Sequence, residues 1–482
     1  MPADDMKSKA ASGLAWTSFE KVGQEVIQFV IGIIIARILA PEDFGVVGMT
    51  AIFLALANTI VDSGFGSALI QKKDRTEADY STCFYFNILV GLAIYGILWI
   101  AAPWIADFYR TPILTDVVRV LGIAFIINSL SISQTARMTA EMQFRQMSVI
   151  TIVAQLVTGL VGLVLAMTGW GVWALVFQQI ASGAVRLIGM EIALKWVPSL
   201  QFSRQSLRHL FGFGSKILCS SIINTVYNNL YTLVIGRAFL PSDVGYYTRA
   251  NQTAALPTNS LTQVVMKVAY PMMAQVQDDV ERLRNAYTKF LRAQLFVIFP
   301  VLLGIAALAE PLFLVLLGEK WLPAVPLLQV LCLGMLFDPL TVINLNILYV
   351  KGRTDLVLRL ELIKKPIAFL ILFLSLNFGL MWLCAGRALY CLIAYAFNCY
   401  YTGRFIGMGF WRQIVIILPV LVRGVVMGAV CYGLCLVISN PLAQVIVGVL
   451  AGGAVYLGMA YAAHDDTMAD GMALVKTRFR RK

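Results

Sequence analysis

Residues 34–45 read IIARILAPEDFG, and residues 234–245 read VIGRAFLPSDVG. The two segments lie 200 residues apart and share one frame, in which Ile, Arg and Pro-x-Asp-x-Gly follow a long apolar run. The matching pairs are Ile35 and Ile235, Arg37 and Arg237, Pro41 and Pro241, Asp43 and Asp243, and Gly45 and Gly245. The repeat predicts a chain of two related helical halves, and repeats in polytopic membrane proteins often place a substrate site where the halves meet.

Local chemistry explains why these residue types recur. Arg37 suits the last turn of an apolar helix, where a cation meets the negative end of the helix dipole. Pro41 suits the first position of the next helix, Asp43 its first turn, and Gly45 a close packing contact. We therefore interpret both segments as a helix end, a turn and a helix start. A direct role of the two repeated arginines in transport is the alternative.

The composition indicates an integral membrane protein. Apolar residues make up 59% of the 482 residues and charged residues 13%, whereas soluble proteins have about 25% charged residues. Apolar runs of about 20 residues recur along the chain, as transmembrane helices require. The N-terminus carries Asp4 and Asp5 and does not resemble a cleavable signal, so the first helix is expected to stay in the membrane. The two histidines and eight scattered cysteines exclude a multi-histidine metal site, and we expect no cofactor.

The apolar runs predict about fourteen spans. They lie near 14–39, 45–69, 82–104, 117–136, 149–168, 171–193, 212–239, 245–268, 290–317, 325–349, 361–379, 381–403, 414–438 and 442–463. Most of the 38 basic residues fall in alternate loops and at both termini, while the other loops hold little beyond Arg110 and Lys320. The positive-inside rule then places both termini in the cytoplasm and explains the net charge of +12 without nucleic acid. All outer loops are expected to be short, the longest at about 105–116.

Polar residues inside the spans are the candidates for a substrate cavity, because such residues are costly in lipid. The first span carries Glu20, Lys21, Gln24, Glu25 and Gln28, and its repeat partner, the seventh span, carries Asn224, Asn228 and Tyr231. Asn224 and Asn228 stand 200 residues after Gln24 and Gln28, so the two helices show polar stripes at matching depth. We prefer a shared polar cavity to the alternative, which is hydrogen bonding between helices.

The second and eighth spans extend this candidate cavity. Their polar residues are Asn58, Asp62, Arg249, Asn251, Gln252 and Asn259. Pro257 predicts a kink in the eighth span. Arg249 has no acidic partner on its own helix face and is the leading candidate for contact with an anionic group. Single charges at Glu310, Asp338, Arg387 and Arg423 are interpreted as structural pairs or interfacial residues.

Several stretches resemble one family. They are RAFLPSDVGYYTRANQTAALPTNSLTQVVMKVAYPMMAQVQDD at 237–279, GLAWTSFEKVGQEVIQFVIGIIIARILAPEDFG at 13–45, TARMTAEMQFRQ at 135–146 and GEKWLPAVPLLQVL at 318–331. Together they resemble the polysaccharide transporters of the Wzx type, in the branch similar to colanic acid exporters. This family belongs to the multidrug/oligosaccharidyl-lipid/polysaccharide flippase superfamily. The resemblance covers nearly the whole chain and is weakest after about residue 405.

The resemblance implies an all-α integral membrane fold with two six-helix lobes around a central cavity, followed by two more helices. The expected divisions are 1–200 for the N-terminal lobe, 201–405 for the C-terminal lobe, 406–464 for the two additional helices and 465–482 for a basic cytoplasmic tail. It also implies a flippase for undecaprenyl-diphosphate-linked oligosaccharide in the bacterial inner membrane. Candidate partners are this lipid-linked glycan, membrane lipids, and the polymerase and export machinery of the pathway.

The residues agree with this implication, and three alternatives remain. Unpaired cations would attract a diphosphate, and amides, hydroxyls and aromatic rings suit sugars. An enzyme of the same pathway would need a large outer loop with catalytic charges, and no phosphate-binding glycine motif is present. A cation-coupled multidrug antiporter would favour acidic cavity residues, whereas the candidates here are of both signs. A flippase for the peptidoglycan precursor is the third alternative.

Overall fold

The computed structural model describes residues 3–62, 64–72 and 74–469, and in this part of the chain every regular element is helical. The α-helices are α1 Ala3–Ile38, α2 Pro41–Asp62, α3 Phe65–Gln71, α4 Glu77–Tyr109, α5 Leu114–Ala140, α6 Phe144–Met167, α7 Val172–Leu194, α8 Arg204–Ala238, α9 Pro241–Gln275, α10 Val280–Ala307, α11 Ala309–Leu316, α12 Val325–Met335, α13 Asp338–Val350, α14 Thr354–Leu376, α15 Leu380–Ile406, α16 Phe410–Val437 and α17 Pro441–Ala462. A short 3₁₀ helix, Glu319–Ala324, precedes α12.

The repeated motif forms the same local structure twice. Helix α1 ends at Ile38 and α2 begins at Pro41, while α8 ends at Ala238 and α9 begins at Pro241. Asp43 Oδ2 accepts a hydrogen bond from the backbone amide of Ala40 at 3.0 Å, and Asp243 Oδ2 accepts one from Leu240 at 3.2 Å. The interpretation of this motif as a helix end, a turn and a helix start is confirmed.

The two copies of the motif also contact each other. A Cβ atom on Gly45 would overlap the carbonyl oxygen of Pro241, and one on Gly245 would overlap the carbonyl oxygen of Pro41. The same Cβ on Gly245 would lie 3.3 Å from the backbone nitrogen of Gly45. Glycine is therefore required at both positions, because the obstacle is backbone and cannot rotate away. We call this contact the glycine crossing.

The chain forms two compact units, Met1–Gly245 and Tyr246–Lys482. In the first unit, α1 packs on α6, α6 on α7, α7 on α5, and α2 packs on α5 and α8. In the second unit, α15 packs on α12, α13 and α14, while α16 packs on α10 and α17.

Ten helical segments within the described residues are long and apolar enough to cross a membrane. They include α4 to α7, α10, and α15 to α17. Four other helices of 23 to 36 residues, α1, α8, α9 and α14, are not among the ten. Three of these four, α1, α8 and α9, carry most of the polar residues that the sequence analysis selected; the others, Asn58 and Asp62, lie on α2. The chain is a multi-pass membrane protein.

Helix ends lie outside several predicted limits. Helix α1 begins at Ala3 rather than near 14, α8 at Arg204 rather than near 212, and α9 runs on to Gln275. Helix α4 extends to Tyr109, so only residues 110–113 separate it from α5. The predicted bounds of this short loop, 105–116, are therefore wrong. Hydropathy locates only the apolar middle of a helix. These helices continue beyond that part as polar turns, so their ends were missed. The basic residues expected in the tail after Ala469 lie outside the described residues.

Polar contacts hold the last two helices, α16 and α17, to the other helices of the second unit. Asn344 on α13 and Gln413 on α16 exchange two amide hydrogen bonds of 3.1 and 2.9 Å, and both side chains are fully buried. Beyond α17, Asp465 accepts a hydrogen bond of 2.5 Å from Nη2 of Arg423 on α16. The neighbouring Asp466 pairs with Arg292 on α10. The sequence analysis left two alternatives for Arg423, a structural pair or a place near an interface, and the structure shows the pair.

Candidate functional site

A polar seam joins α2 to α8 in the first unit. The hydroxyl groups of Thr59 on α2 and Thr225 on α8 share a hydrogen bond of 3.0 Å. Four of the predicted cavity residues flank this bond along the same two helices and are exposed, namely Asn58, Asp62, Asn224 and Asn228. Tyr231, farther along α8, is half-buried. The structure thus brings together the candidates of the second and seventh spans, and we call this region the α2–α8 seam.

The polar residues of α1 lie elsewhere in the first unit. Glu20 accepts a hydrogen bond of 2.8 Å from the hydroxyl group of Ser148 on α6. Lys21, Gln24 and Glu25 are half-buried, and Gln28 is exposed. Glu20 therefore contributes to the packing of α1 on α6, whereas Gln28 is accessible from outside the helix pair.

Arg186 on α7 is a cation that the sequence analysis missed. A chain of contacts leads from the seam to Arg186. Asn58 accepts a hydrogen bond of 3.2 Å from Asn128 on α5, and Asn128 packs against Gly183 on α7. Gly183 lies about one helical turn before Arg186. The buried Nε of Arg186 has no hydrogen-bond partner within the described residues. An unsatisfied buried donor on a cation is costly, so an anionic group near α7 would be favoured. A lone arginine inside an apolar run was the available sequence signal.

In the second unit, Arg387 on α15 organises the start of α9. Its Nη1 donates to the hydroxyl oxygen of Tyr247 and to Oδ1 of Asn251, each at 2.6 Å. Asn251, a predicted cavity residue, is therefore held by a cation that the sequence analysis interpreted as part of a structural pair or as an interfacial residue. Both contacts fix the side-chain positions on this part of α9.

The other candidates of α9 differ in accessibility. Arg249 is half-buried, and its guanidinium carbon lies 5.9 Å from the centre of the Trp321 ring, which is a cation–π distance. Gln252 and Asn259 are exposed. Helix α9 remains helical through Pro257. The second unit thus presents one aromatic-supported arginine and two accessible amides on the same helix.

Within the described residues, no group of three or more His, Cys, Asp or Glu side chains is arranged to hold a metal ion. The polar residues above are amides, hydroxyls, three arginines, one lysine and isolated carboxylates. Such a set can bind sugar hydroxyls and anionic groups by hydrogen bonds and charge.

A protein-family model described as "Polysaccharide biosynthesis protein" matches residues 34–326, which is more than half of the chain. The chain belongs to this family. The resemblance inferred from its sequence is therefore confirmed.

Curated relatives of this polysaccharide biosynthesis protein carry related names. Teichuronic acid biosynthesis protein TuaB of Bacillus subtilis is 28% identical, and the match covers 72% of each chain. Lipopolysaccharide biosynthesis protein WzxC of Escherichia coli is 28% identical over 74% of this chain and 73% of its own. Succinoglycan biosynthesis transport protein ExoT of Rhizobium meliloti is 29% identical over 70% of this chain and 68% of its own.

Solved structures of two transporters share the fold. The inward closed conformation of the lipid II flippase MurJ superposes with a TM-score of 0.76 at 14% identity, covering 94% of this chain and 99% of the other. An inward-facing multidrug resistance transporter of the MATE family superposes with a TM-score of 0.60 at 15% identity, covering 79% and 95%. The polysaccharide biosynthesis protein therefore has the fold of the flippase superfamily that its sequence resembles.

Proposed function

We propose that this protein is a flippase that moves undecaprenyl-diphosphate-linked oligosaccharide repeat units across the bacterial inner membrane by alternating access. The glycan would serve exopolysaccharide or lipopolysaccharide biosynthesis. The observation that carries the proposal is membership of the polysaccharide biosynthesis family, joined to a multi-pass membrane chain. The names of its relatives, a succinoglycan transport protein among them, support the same substrate class.

We propose fourteen membrane spans with both termini in the cytoplasm. Helices α1, α8, α9 and α14 would join the ten apolar segments, since each is long enough to cross about 30 Å of hydrocarbon. Their polar residues would face a cavity rather than lipid. The proposed divisions are 1–200 and 201–405 for two six-helix lobes around the cavity, 406–464 for two further helices and 465–482 for the tail.

The proposed substrate contacts follow from charge and hydrogen-bonding capacity. Arg249 and Arg186 would contact the diphosphate, because a guanidinium group forms strong charge-assisted bonds to phosphate oxygens. The amides of Asn58, Asn224 and Asn228 at the α2–α8 seam would bind sugar hydroxyls. Moving such a headgroup through lipid unaided would be prohibitive, and a polar cavity removes that barrier.

The proposal assigns transport and not catalysis to this chain. Its relatives are named for polysaccharide biosynthesis, and none of the three names a drug. The multidrug antiporter is disfavoured for this reason, and likeness to the MATE structure concerns the fold alone.

The test of this function is made in a deletion strain of the native host. We expect surface polysaccharide to be lost and completed lipid-linked repeat units to accumulate in the cytoplasmic leaflet, where mass spectrometry of the extracted lipid identifies the glycan. Re-expression of the wild-type chain should restore both. Normal surface polysaccharide in the deletion strain, together with altered tolerance to cationic drugs, would instead favour the antiporter.

Substitution of the two arginines tests the proposed anion contacts. We expect Arg249→Ala and Arg186→Gln each to reduce export by about tenfold or more, because each change removes a charged hydrogen bond to the diphosphate. Surface polysaccharide is measured in the complemented deletion strain, with the amount of protein in the membrane determined in parallel. Arg282→Gln is the matched control, since Arg282 is 78% exposed and pairs with Asp279, three residues before it. Export at the control level would remove that arginine from the site.

A further inference from the structure

A cleft opens between α6 and α7 in the first unit. The two helices are in close contact at Gly189, where a Cβ atom would lie 2.7 Å from Cγ2 of Ile150. Toward the first turn of α6 and the last turn of α7, the helices bound a cleft of about 450 Å³. Arg145 and Gln146 line it from α6, and Ile192 lines it from α7. The contact of Gly189 with Ile150 therefore bounds the cleft at one end. At the other end, which we call the open end, the polar side chains of Arg145 and Gln146 line it.

The open end of the cleft carries positive charge. Arg145 is exposed in the first turn of α6, and its guanidinium carbon lies 5.5 Å from the centre of the Trp16 ring on α1. No carboxylate within the described residues pairs with Arg145. The first turn of α6 contains no acidic residue and no side chain that caps it, so its backbone amides remain available. Both features favour an anion at this end.

The remainder of the cleft is apolar and continuous with an exposed apolar surface. Val149 is 47% exposed and Ile192 is 68% exposed. The row continues along α6 with Val153, Leu160 and Val164, which are 48%, 61% and 58% exposed. Helix α6 is one of the segments able to cross a membrane, and an exposed apolar row on such a helix contacts lipid chains. The cleft is therefore open to the lipid phase.

We propose that the α6–α7 cleft binds a glycerophospholipid with an anionic headgroup. The phosphate would contact Arg145 and the first-turn amides of α6, and one acyl chain would lie against Val149 and Ile192. A phosphodiester carries one negative charge, which matches the single positive charge of Arg145. A lipid-linked glycan would need polar partners for its sugars, and the apolar walls do not supply them. The inference depends on the membrane placement and not on the proposed transport activity.

Native mass spectrometry of the purified full chain in detergent tests this proposal. Dioleoyl phosphatidylglycerol and dioleoyl phosphatidylcholine are added in equal amounts, and the protein-bound lipid is counted. We expect wild-type protein to retain phosphatidylglycerol preferentially. Arg145→Gln should weaken this retention by about tenfold. Ala193→Trp should abolish it by filling the cleft, since Ala193 also lines the wall. Arg282→Gln, an exposed arginine of the second unit, should behave as wild type.

Three results would overturn the proposal. The first is equal retention of both lipids by wild-type protein. The second is retention of phosphatidylglycerol by Arg145→Gln and Ala193→Trp at the wild-type level. The third is displacement of phosphatidylglycerol by an equal amount of undecaprenyl phosphate, which would assign the cleft to a polyprenyl chain. Because Arg145 is exposed, its substitution is compatible with folding, and a thermal unfolding curve for each variant verifies this.

Discussion

Replacing Gly45 or Gly245 with alanine should destabilise the protein by about 3 kcal/mol or more and sharply reduce its amount in the membrane. At each position the added Cβ would overlap the carbonyl oxygen of a proline in the other copy of the motif. A flexible side chain could rotate away from such an overlap, but a backbone carbonyl in a helical first turn cannot. The start of α2 and the start of α9 would have to separate.

Thermal unfolding of each purified variant in detergent measures this effect, together with membrane abundance. The matched control is Gly458→Ala in α17, where an added Cβ meets nothing within 4 Å. A glycine inside a helix costs up to about 1 kcal/mol relative to alanine, so the control should be neutral or slightly more stable than wild type. If Gly45→Ala unfolded at the same temperature as Gly458→Ala, the carbonyl oxygen of Pro241 would not be in close contact with residue 45, which would contradict the glycine crossing.

Asp465→Asn should give the second large loss of stability, about 3 to 5 kcal/mol. Arg423 is nearly buried, with 9% of its side chain exposed, and its Nη2 lies 2.5 Å from Asp465. Removing the carboxylate charge leaves a cation in a place from which water is largely excluded. We expect α16 and α17 to loosen from α10, seen as a lower unfolding temperature and as new protease cleavage in this region.

Asp466→Asn provides the matched control for this experiment. Asp466 is the next residue and also pairs with an arginine, but 79% of its side chain and 42% of that of Arg292 are exposed. Exposed ion pairs contribute at most about 1 kcal/mol. Similar losses for Asp465→Asn and Asp466→Asn would contradict the assignment of the buried pair as the stabilising one.

The Asp465 pair also predicts a dependence of stability on pH. Burial alone would raise the pKa of Asp465, but the hydrogen bond and charge of Arg423 lower this pKa below its ordinary value of 3.8. A carboxyl group with a lowered pKa in the folded state contributes stability above its unfolded pKa and loses it as pH falls through the folded value. The difference in unfolding temperature between wild type and Asp465→Asn should therefore be constant near neutrality and shrink below about pH 4.

The sequence was sufficient for features that depend on near neighbours along the chain. Pro41 and Asp43 fix a helix start through their own backbone and side chain, so their spacing predicted the turn that the structure contains. The apolar runs predicted a multi-pass helical protein for the same reason. Helix ends such as Arg204 and Tyr109 were missed, since a helix can continue beyond its apolar part.

Features that depend on distant parts of the chain could not be predicted in this way. The sequence showed that Gly45 and Gly245 permit close packing but not that each meets the proline of the other copy. It placed Glu20 among the cavity candidates, although the partner of Glu20, Ser148, lies 128 residues away. Arg186 and Arg387 are distinguished only by what surrounds them. Among the described residues the Nε of Arg186 has no hydrogen-bond partner, whereas Arg387 donates to two oxygen acceptors.

The reciprocal form of the glycine crossing limits how the two repeats can diverge. Each copy supplies both a glycine and the carbonyl that the other glycine must accommodate, so neither copy can accept a larger residue on its own. Once one substitution has forced the helix starts apart, a second at the other glycine meets an obstacle that is already displaced. The costs of the two changes are therefore less than additive. The two copies of one short motif thus contact each other, and a change in either copy alters the packing of both.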